Sequence, residues 1–413
     1  MIRILHTADW HLGQSFFGYD RTEEQEHFLQ WLSDQIRERD ADVLIIAGDV
    51  FDVSNPSAAS QRMFYRFIRR ATAHSPHLQM VVVAGNHDSA ARLEAPVPLL
   101  HELHTTIKGL VHKCDGEVDY NDLIVELKNK AGQVEALCLG VPYLRQGDYP
   151  AVTTTGNPYA EGVKELYRQL TARALERKTP QQALIAVGHL QATGSEIAEK
   201  DYSERTIIGG LECVSPDSFS SEIAYTALGH IHKAQRVSGR DNVRYAGSPL
   251  SMSFAEKHYR HGMVEVVLDN GEVHSIEKIA YTPLVALLSV PATQSAHPEE
   301  ILTLLEELPL KTEENEHLLA PYLEVKVLLD EPEPMLRLEI EEVLANKHVR
   351  LARIVSAYRA SNSTINDDEM MTVGLQEMTP LQIVQSTFEK TYQMPMPEEL
   401  VSLFREAEQT VEH

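Results

Sequence analysis

The sequence has few cysteines and no long apolar run. Its three cysteines, Cys114, Cys138 and Cys213, lie far apart and form no C-x-x-C pair, so they indicate neither a disulfide framework nor a cysteine zinc site. No apolar run approaches the roughly 20 residues that a transmembrane helix needs. Asp9 interrupts the N-terminus before a signal-peptide core can form. These absences predict a cytoplasmic protein with no membrane segment.

Positive charge is also scarce. Lysine and arginine number 37 against 61 aspartates and glutamates, which gives a formal net charge of −24. Affinity for nucleic acid comes chiefly from Lys and Arg side chains that neutralise phosphates. The chain is therefore not expected to coat nucleic acid unaided. If its substrate is DNA, metal ions or a partner must supply the positive charge.

Five predicted strands end at residues whose side chains can bind a metal ion. The apolar run from Val43 to Ala47 stops at Gly48-Asp49, and the carboxyl edge of a parallel sheet is where α/β proteins place their chemistry. The other four strand ends carry Asp9-Trp10-His11, Asn86-His87-Asp88, His189 and His230-Ile231-His232. We therefore expect these side chains to converge at one edge.

The types of donor narrow the choice of metal. Carboxylate, imidazole and amide donors without sulfur suit Mn²⁺, Fe²⁺ or Zn²⁺ better than Ca²⁺ or a thiolate zinc site. A carboxylate such as that of Asp49 can bridge two cations. His230 and His232 are two positions apart, so on an extended segment they share a face and can reach neighbouring ions.

Other polar residues near these motifs have ordinary explanations. Most of the 19 histidines are expected at the surface, and His6, inside a strand, is expected to be a core group. Asp52 is not assigned as a ligand, because a strand-end carboxylate can simply bond nearby backbone. Asp88 is a candidate to orient His87, and the alternative is a carboxylate that caps a turn or helix.

The ordered motifs D-x-H, G-D-x-x-D, G-N-H-D, G-H and G-H-x-H resemble those of the binuclear metallophosphoesterases, also called calcineurin-like phosphoesterases. The segments DWHLGQ, GDVFD, VAGNHDS, GHL, ALGHIH and YAGSPLSMSF are similar to the DNA nuclease branch of that superfamily. The resemblance covers residues 1–280 by motif and rests on domain order beyond them. It implies an α/β fold in which a metallophosphoesterase β-sandwich is flanked by helices.

The resemblance also implies a set of site residues. Two divalent metal ions, with Mn²⁺ as the expected metal, would share Asp49 as a bridging ligand. One ion would be held by Asp9, His11, Asp49 and His232, and the other by Asp49, Asn86, His189 and His230. His87 would be a catalytic residue that stabilises the transition state or protonates the leaving oxygen without binding metal.

The implied activity is that of a metal-dependent DNA nuclease. It would act as a 3′–5′ exonuclease on double-stranded ends and as an endonuclease on hairpins or single strands, in DNA end processing, replication and recombination. Two alternatives stay open at this point. One is a phosphomonoesterase or cyclic-nucleotide phosphodiesterase with the same metal core, which the extra sequence after residue 280 disfavours. The other is a scaffold with a degenerate site, which the intact ligand set disfavours.

The length of 413 residues predicts two or three domains. Residues 1–280 form the expected nuclease domain, with helices predicted at 22–39, where Thr22 is the N-cap, at 57–71, where Asn55-Pro56 is the cap, and at 159–178. Residues 90–130 show no clear pattern. A strand–helix–strand–helix–strand pattern predicts a small α/β capping domain at residues 281–358. A polar, acidic linker is predicted at 359–376.

Residues 377–413 are predicted to form a helix-loop-helix. Leu381, Val384, Phe388 and Tyr392 share one helical face, and Leu400, Leu403, Phe404, Ala407 and Val411 share another. Such short amphipathic helices need a surface to cover, either on their own second domain or on another protein. The resemblance implies a coiled-coil ATPase bound by these helices, and a homodimer of this chain within a heterotetramer.

Overall fold

The computed structural model describes residues 1–196, 213–315, 317–331 and 333–358, together with scattered positions between 381 and 404. It separates into two compact units, Met1–Val285 and Ala286–His413. The predicted linker at 359–376 lies outside the described residues, as do residues 197–212 and much of the predicted C-terminal helix pair. In the described part of the chain, no helix combines the length and apolarity needed to cross a bilayer.

The first unit contains fourteen strands and five α-helices among its described residues. The strands are β1 (Ile2–Thr7), β2 (Val43–Ala47), β3 (Gln79–Val83), β4 (Thr105–Lys108), β5 (Lys113–Cys114), β6 (Glu117–Val118), β7 (Ile124–Lys128), β8 (Val134–Gly140), β9 (Ala183–His189), β10 (Tyr225–Gly229), β11 (Gln235–Val237), β12 (Arg240–Tyr245), β13 (Gly262–Asp269) and β14 (Glu272–Ala280). The helices are α1 (Thr22–Glu38), α2 (Ala58–His74), α3 (Ala90–Glu94), α4 (Val97–Leu100) and α5 (Pro158–Arg177).

These strands form two six-stranded sheets. The first has the order β14-β13-β1-β2-β3-β4, and the second has the order β11-β12-β10-β9-β8-β7. Strands β1 to β4 pair in parallel, as do β8, β9, β10 and β12. The carboxyl ends of β1, β2 and β3 in one sheet, and of β9 and β10 in the other, therefore each lie along one edge of their sheet.

Apolar side chains from both sheets form the core between them. Ile4, Ile45 and Val83 of the first sheet belong to the same buried cluster as Ile185 and Ala227 of the second. Helices α1 and α2 cover the outer face of the first sheet, and α5 covers that of the second. The predicted β-sandwich flanked by helices is therefore confirmed.

Several local predictions need correction. Thr22 is not the N-cap of α1. Arg21 occupies that position, and Thr22 bonds Asp20 through both its amide and its hydroxyl. The cap of α2 is Ser57, whose side chain accepts from the Ser60 amide, and not Asn55-Pro56. The region 90–130 holds α3, α4 and β4 to β7. Strand β4 pairs with the distant β3, whereas β5 pairs with β6 across Asp115-Gly116 and β7 pairs with the next strand, β8.

The second unit alternates strands and helices. It comprises β15 (Leu287–Val290), α6 (Pro298–Glu306), β16 (Tyr322–Leu329), α7 (Leu336–Leu344) and β17 (Arg350–Tyr358). The three strands pair in parallel in the order β15-β16-β17. Ile301 and Leu305 of α6 and Ile340 of α7 pack with Leu323 and Val325 of β16. The alternation seen in the sequence therefore folds as a small α/β unit.

Candidate metal centre

The loops that follow β1 and β2 run side by side and are joined by backbone hydrogen bonds. The amide of Asp9 donates to the Gly48 carbonyl at 3.0 Å, and the amide of His11 donates to the Asp49 carbonyl at 3.0 Å. Asp9, His11 and Asp49 have φ angles of 55°, 45° and 49°. Non-glycine residues in this left-handed region cost free energy and cluster at functional sites. The strain is consistent with three side chains turned toward a common point.

Gly85 allows the loop after β3 to approach Asp49. A Cβ atom on Gly85 would lie 2.1 Å from Asp49 Oδ1 and 2.3 Å from the Asp49 backbone nitrogen. The glycine in the G-N-H-D motif is therefore required by close packing against the central carboxylate.

This contact makes Gly85→Ala a sensitive test of the site. The new methyl group must displace Asp49, so we expect loss of bound metal and a destabilisation of about 1–3 kcal/mol. Metal content and the thermal unfolding midpoint measure both effects. Gly140→Ala is the control, because its Cβ would meet only ordinary contacts at 3.4 Å and beyond. Full metal content in Gly85→Ala would contradict this explanation of the glycine.

Asp49 lies between two histidines that belong to different halves of the site. Its Oδ2 is 3.7 Å from His11 Nε2 and 3.3 Å from His189 Nε2. The carboxylate is almost fully buried, and its Oδ1 accepts a hydrogen bond from the His87 amide at 2.8 Å. A carboxylate oxygen placed between two imidazole nitrogens is suited to bridge two cations.

The first group of donors consists of Asp9, His11 and His232. One ligand atom from each lies within 4.8 Å of the others. Asp9 Oδ2 and His11 Nε2 are buried and have no hydrogen-bond partner among the described residues. Buried polar atoms normally have a hydrogen-bond partner, so two unpaired ones in the same group fit a site for a divalent cation. The carboxylate and imidazole donors present are ligand types that such an ion binds.

The second group consists of Asn86, His189 and His230. Asn86 Oδ1 is 2.8 Å from His189 Nε2 and 3.0 Å from His230 Nδ1. Donors with metal bonds of roughly 2.1 Å stand about 3 Å apart when they are neighbours around one ion. The spacing therefore also fits a cation, and all seven predicted ligands meet at the carboxyl edges of the two sheets.

Three of the histidines have a second partner that fixes the orientation of the ring. His189 Nδ1 donates to the Ala47 carbonyl at 2.9 Å, and His232 Nδ1 donates to Glu256 Oε1 at 2.8 Å. His11 Nδ1 lies 3.4 Å from Asp52 Oδ1. Such partners select the tautomer whose other nitrogen can bind metal. Asp52 therefore contacts a site histidine through its carboxylate, instead of only bonding nearby backbone.

Glu256 is a functional candidate that the sequence reading missed. It is fully buried at the end of a 3₁₀ turn, Phe254–Glu256. It follows the YAGSPLSMSF segment, but no spacing rule connects it to His232, which lies 24 residues earlier. A glutamate just beyond an apolar loop was the sole available signal.

His87 and Asp88 have different surroundings. His87 Nδ1 donates to the Asp52 carbonyl at 2.8 Å, and its ring centroid lies 4.8 Å from that of His11. The Asp88 carboxylate instead accepts hydrogen bonds from the amides of Val50, Phe51 and Gly85. Asp88 therefore ties the loops after β2 and β3 together, as the turn-capping alternative predicts. His6 bonds Tyr225 inside the core.

The electrostatics of the site favour an ionised Asp49. Burial opposes its charge, but the adjacent His189 and His11 lower the pKa of Asp49 well below its usual range. Burial also opposes the charge on His189, yet Asp49 and Asp9 raise the pKa of that imidazole to about 9. Burial lowers the pKa of His230 to about 3. Charged carboxylate and neutral imidazole are the forms that bind metal, so His189 must release a proton when an ion binds.

Comparison with protein families finds two matches. Residues 2–234 match the family described as calcineurin-like phosphoesterase. Residues 283–392 match a family described as the type 5 capsule protein repressor C-terminal domain. The first match covers the whole candidate metal centre except the Glu256 loop, and the second begins where the second unit begins.

Similar proteins are found in several bacteria, and each is named as the SbcD subunit of the nuclease SbcCD. The Rhodobacter capsulatus protein is 35% identical over 85% of this chain and 86% of its own. The Escherichia coli K12 protein is 32% identical over 71% of this chain and 69% of its own. The Bacillus subtilis protein is 33% identical over 66% of this chain and 67% of its own.

Proposed function

Because this chain belongs to the calcineurin-like phosphoesterase family, and within it to the nuclease SbcD subunits, we propose that it hydrolyses DNA phosphodiester bonds together with an SbcC-type ATPase. The single observation that carries this proposal is the position of Asp49 Oδ2 between His11 Nε2 and His189 Nε2. It supports a site for two divalent ions with a shared carboxylate.

The seven proposed ligands would be divided between two ions. Asp9, His11 and His232 would hold one ion, Asn86, His189 and His230 the other, and Asp49 both. When bound, a pair of divalent cations supplies the positive charge that neutralises the phosphate and lowers the pKa of the attacking water. We propose Mn²⁺ as the metal, because nitrogen and oxygen donors without sulfur suit it.

His87 is proposed as the catalytic residue. The Asp52 carbonyl can only accept a hydrogen bond, so Nδ1 of His87 carries the proton of the neutral ring and Nε2 is the nitrogen through which the ring gains or loses one. The backbone amide of His87 donates a hydrogen bond to Asp49 Oδ1, which holds the residue beside the metal ligands. An imidazole in this place can stabilise the transition state or protonate the leaving oxygen.

We propose DNA as the substrate, with 3′–5′ exonuclease action on duplex ends and endonuclease action on hairpins and single strands. These activities belong to DNA end processing, replication and recombination in the cytoplasm. The names of the relatives support a nuclease, and the net charge of −24 supports a role for metal ions or a partner in holding the polyanion.

A direct assay separates this proposal from the phosphatase alternative. Purified protein with Mn²⁺ should cut a labelled hairpin duplex and leave a generic phosphomonoester nearly untouched. Chelation of the metal should stop cleavage, and added Mn²⁺ should restore it. Turnover of the monoester without cleavage of DNA would favour a phosphomonoesterase, and no reaction with either substrate would favour a scaffold.

The ATPase is proposed to bind through the C-terminal helices. Residues 374–413 carry seven glutamates against one lysine and one arginine, so they are unsuited to bind DNA themselves. Leu400 and Leu403 lie on helical backbone and are 40% and 60% exposed, which leaves apolar surface for a partner. The Tyr392 ring instead packs 5.8 Å from that of Tyr358 at the end of β17. This end of the first helix contacts its own unit.

Deletion of residues 360–413 tests the partner. We expect the truncated chain to keep Mn²⁺-dependent cleavage of short single strands, because the metal ligands lie before residue 286. It should lose co-purification with the ATPase and ATP-dependent cutting of duplex ends. Leu403→Glu is the matched point variant, because it places a charge on an exposed apolar position. Undiminished ATPase binding by the truncated chain would refute this interface.

We further propose that two copies of this chain and the ATPase form a heterotetramer.

A further inference from the structure

The two metal positions have unequal surroundings, and a buried carboxylate accounts for much of the difference. Glu256 is fully buried and uses both carboxylate oxygens. Oε1 accepts from His232 Nδ1 at 2.8 Å, and Oε2 accepts from the Met252 amide at 2.7 Å. We propose that Glu256 is a positioning residue that makes the Asp9, His11 and His232 position the tighter of the two metal sites, an inference that rests on the proposed metal centre.

The loop that carries Glu256 is held in place by several bonds. Arg21 donates to the Ser251 carbonyl at 2.8 Å, and His261 Nδ1 donates to the Ser248 carbonyl at 2.8 Å. The Ser251 hydroxyl also bonds His261 Nε2. A carboxylate on a loop fixed in this way can orient an imidazole, and orientation by an outer carboxylate raises the basicity of the ligand nitrogen.

His189 in the other position has a neutral partner. Its Nδ1 donates to the Ala47 carbonyl, and besides the shared Asp49 carboxylate the oxygen donor there is the amide of Asn86. In the first position, His232 Nδ1 donates to the Glu256 carboxylate, and His11 Nδ1 lies 3.4 Å from Asp52 Oδ1. More carboxylate charge therefore surrounds the first position, and a divalent cation is held more strongly where the negative charge is greater.

Asp9 lies near both groups, and its two carboxylate oxygens have different surroundings. Its Oδ1 accepts from the His230 amide at 2.9 Å and lies 3.9 Å from His189 Nδ1. That nitrogen is the one already bonded to Ala47, so it does not face a metal. Asp9 Oδ2 has no hydrogen-bond partner among the described residues, so this oxygen is available to an ion. Asp9 groups with His11 and His232, and also with Asp49 and His189.

Manganese titration of the metal-depleted full-length chain tests the inference, with free Mn²⁺ read by electron paramagnetic resonance. The wild type should bind ions in two classes of different affinity. Glutamine offers one acceptor oxygen where the His232 and Met252 N–H groups need two. Glu256→Gln should therefore weaken the tight class by about 10–100-fold and leave the weak class nearly unchanged.

Two further variants assign the classes. Asn86→Ala should remove the weak class and keep the tight one, whereas His232→Ala should remove the tight class. Glu265→Gln is the matched control, because Glu265 is also a buried glutamate but is ion-paired with Arg3 and Arg39. It should bind Mn²⁺ as the wild type does.

Several outcomes would overturn the inference. One is a wild type whose two Mn²⁺ ions bind with equal affinity. The others are a Glu256→Gln variant that weakens both classes of Mn²⁺ binding equally, or one that weakens neither. If Glu256→Gln does not fold by circular dichroism, Asp52→Asn replaces it and should weaken the tight class by a smaller factor. Two equal ions with normal hairpin cleavage would overturn this inference alone, whereas no bound Mn²⁺ and no cleavage would overturn the proposed function as well.

Discussion

Asp49→Asn is expected to abolish cleavage of DNA and to lower metal content at both positions. The substitution removes the one carboxylate whose Oδ2 faces His11 on one side and His189 on the other. The two ions supply several kcal/mol of charge stabilisation, so we expect a loss of at least about 10³-fold in kcat. Cleavage of a labelled hairpin and metal analysis of the same sample measure both effects.

The control for this variant lies at the other end of the same strand. Asp42 precedes β2, is also buried, and accepts a hydrogen bond from the Arg3 amide at 2.8 Å. Asp42→Asn should keep both its metal and its activity, because it changes a buried carboxylate far along the strand from the site. An Asp49→Asn protein that kept two ions would show that Asp49 does not bridge them.

His87→Gln is expected to stop cleavage while metal content stays close to that of the wild type. The side chain bonds the Asp52 carbonyl and lies beside His11. His11, Asp52 and His87 also form a group whose ligand atoms lie within 4.8 Å of one another, so metal analysis decides whether His87 is an acid or a ligand. Loss of a general acid costs typically 10²–10⁴-fold in rate, so kcat should fall within that range. Single-turnover cleavage at saturating Mn²⁺ measures the fall, and metal analysis shows whether the ions are still present.

A second histidine provides the control for His87→Gln. His74 ends α2 and is exposed, so His74→Gln should behave as the wild type does. A His87→Gln protein that lost an ion as completely as Asp49→Asn would show that His87 is a ligand. A His87→Gln protein that cleaved normally would exclude it as the acid.

Strands and their ends could be predicted because their signal is local. Val43–Ala47 is an uninterrupted apolar run that stops at Gly48-Asp49, and the structure has β2 with the same bounds. The Asn270-Gly271 pair between β13 and β14 has φ angles of 49° and 86°, and an Asn-Gly pair is typical of two-residue hairpin turns. The convergence of the site residues follows from the parallel order of the strands that precede them.

Features that depend on distant contacts could not be predicted in this way. Strand β4 is short and exists because it pairs with β3. Glu256 joins the site through His232, and the short-range pattern around it indicates only an apolar loop. The prediction of Thr22 as the cap of α1 was wrong because Asp20, two residues earlier, accepts from both the amide and the hydroxyl of Thr22. In each case the deciding partner is outside the motif.

The central claim is that two metal ions share the Asp49 carboxylate. The electron paramagnetic resonance spectrum of the full-length chain loaded with Mn²⁺ tests it most directly. Two Mn²⁺ ions that share the Asp49 carboxylate should be magnetically coupled, so electron paramagnetic resonance should show the broad spectrum of a coupled pair. Asp49→Asn should lose that spectrum. A loaded wild-type protein that showed solely the hyperfine pattern of isolated Mn²⁺, while cleaving a hairpin at full rate, would contradict the account.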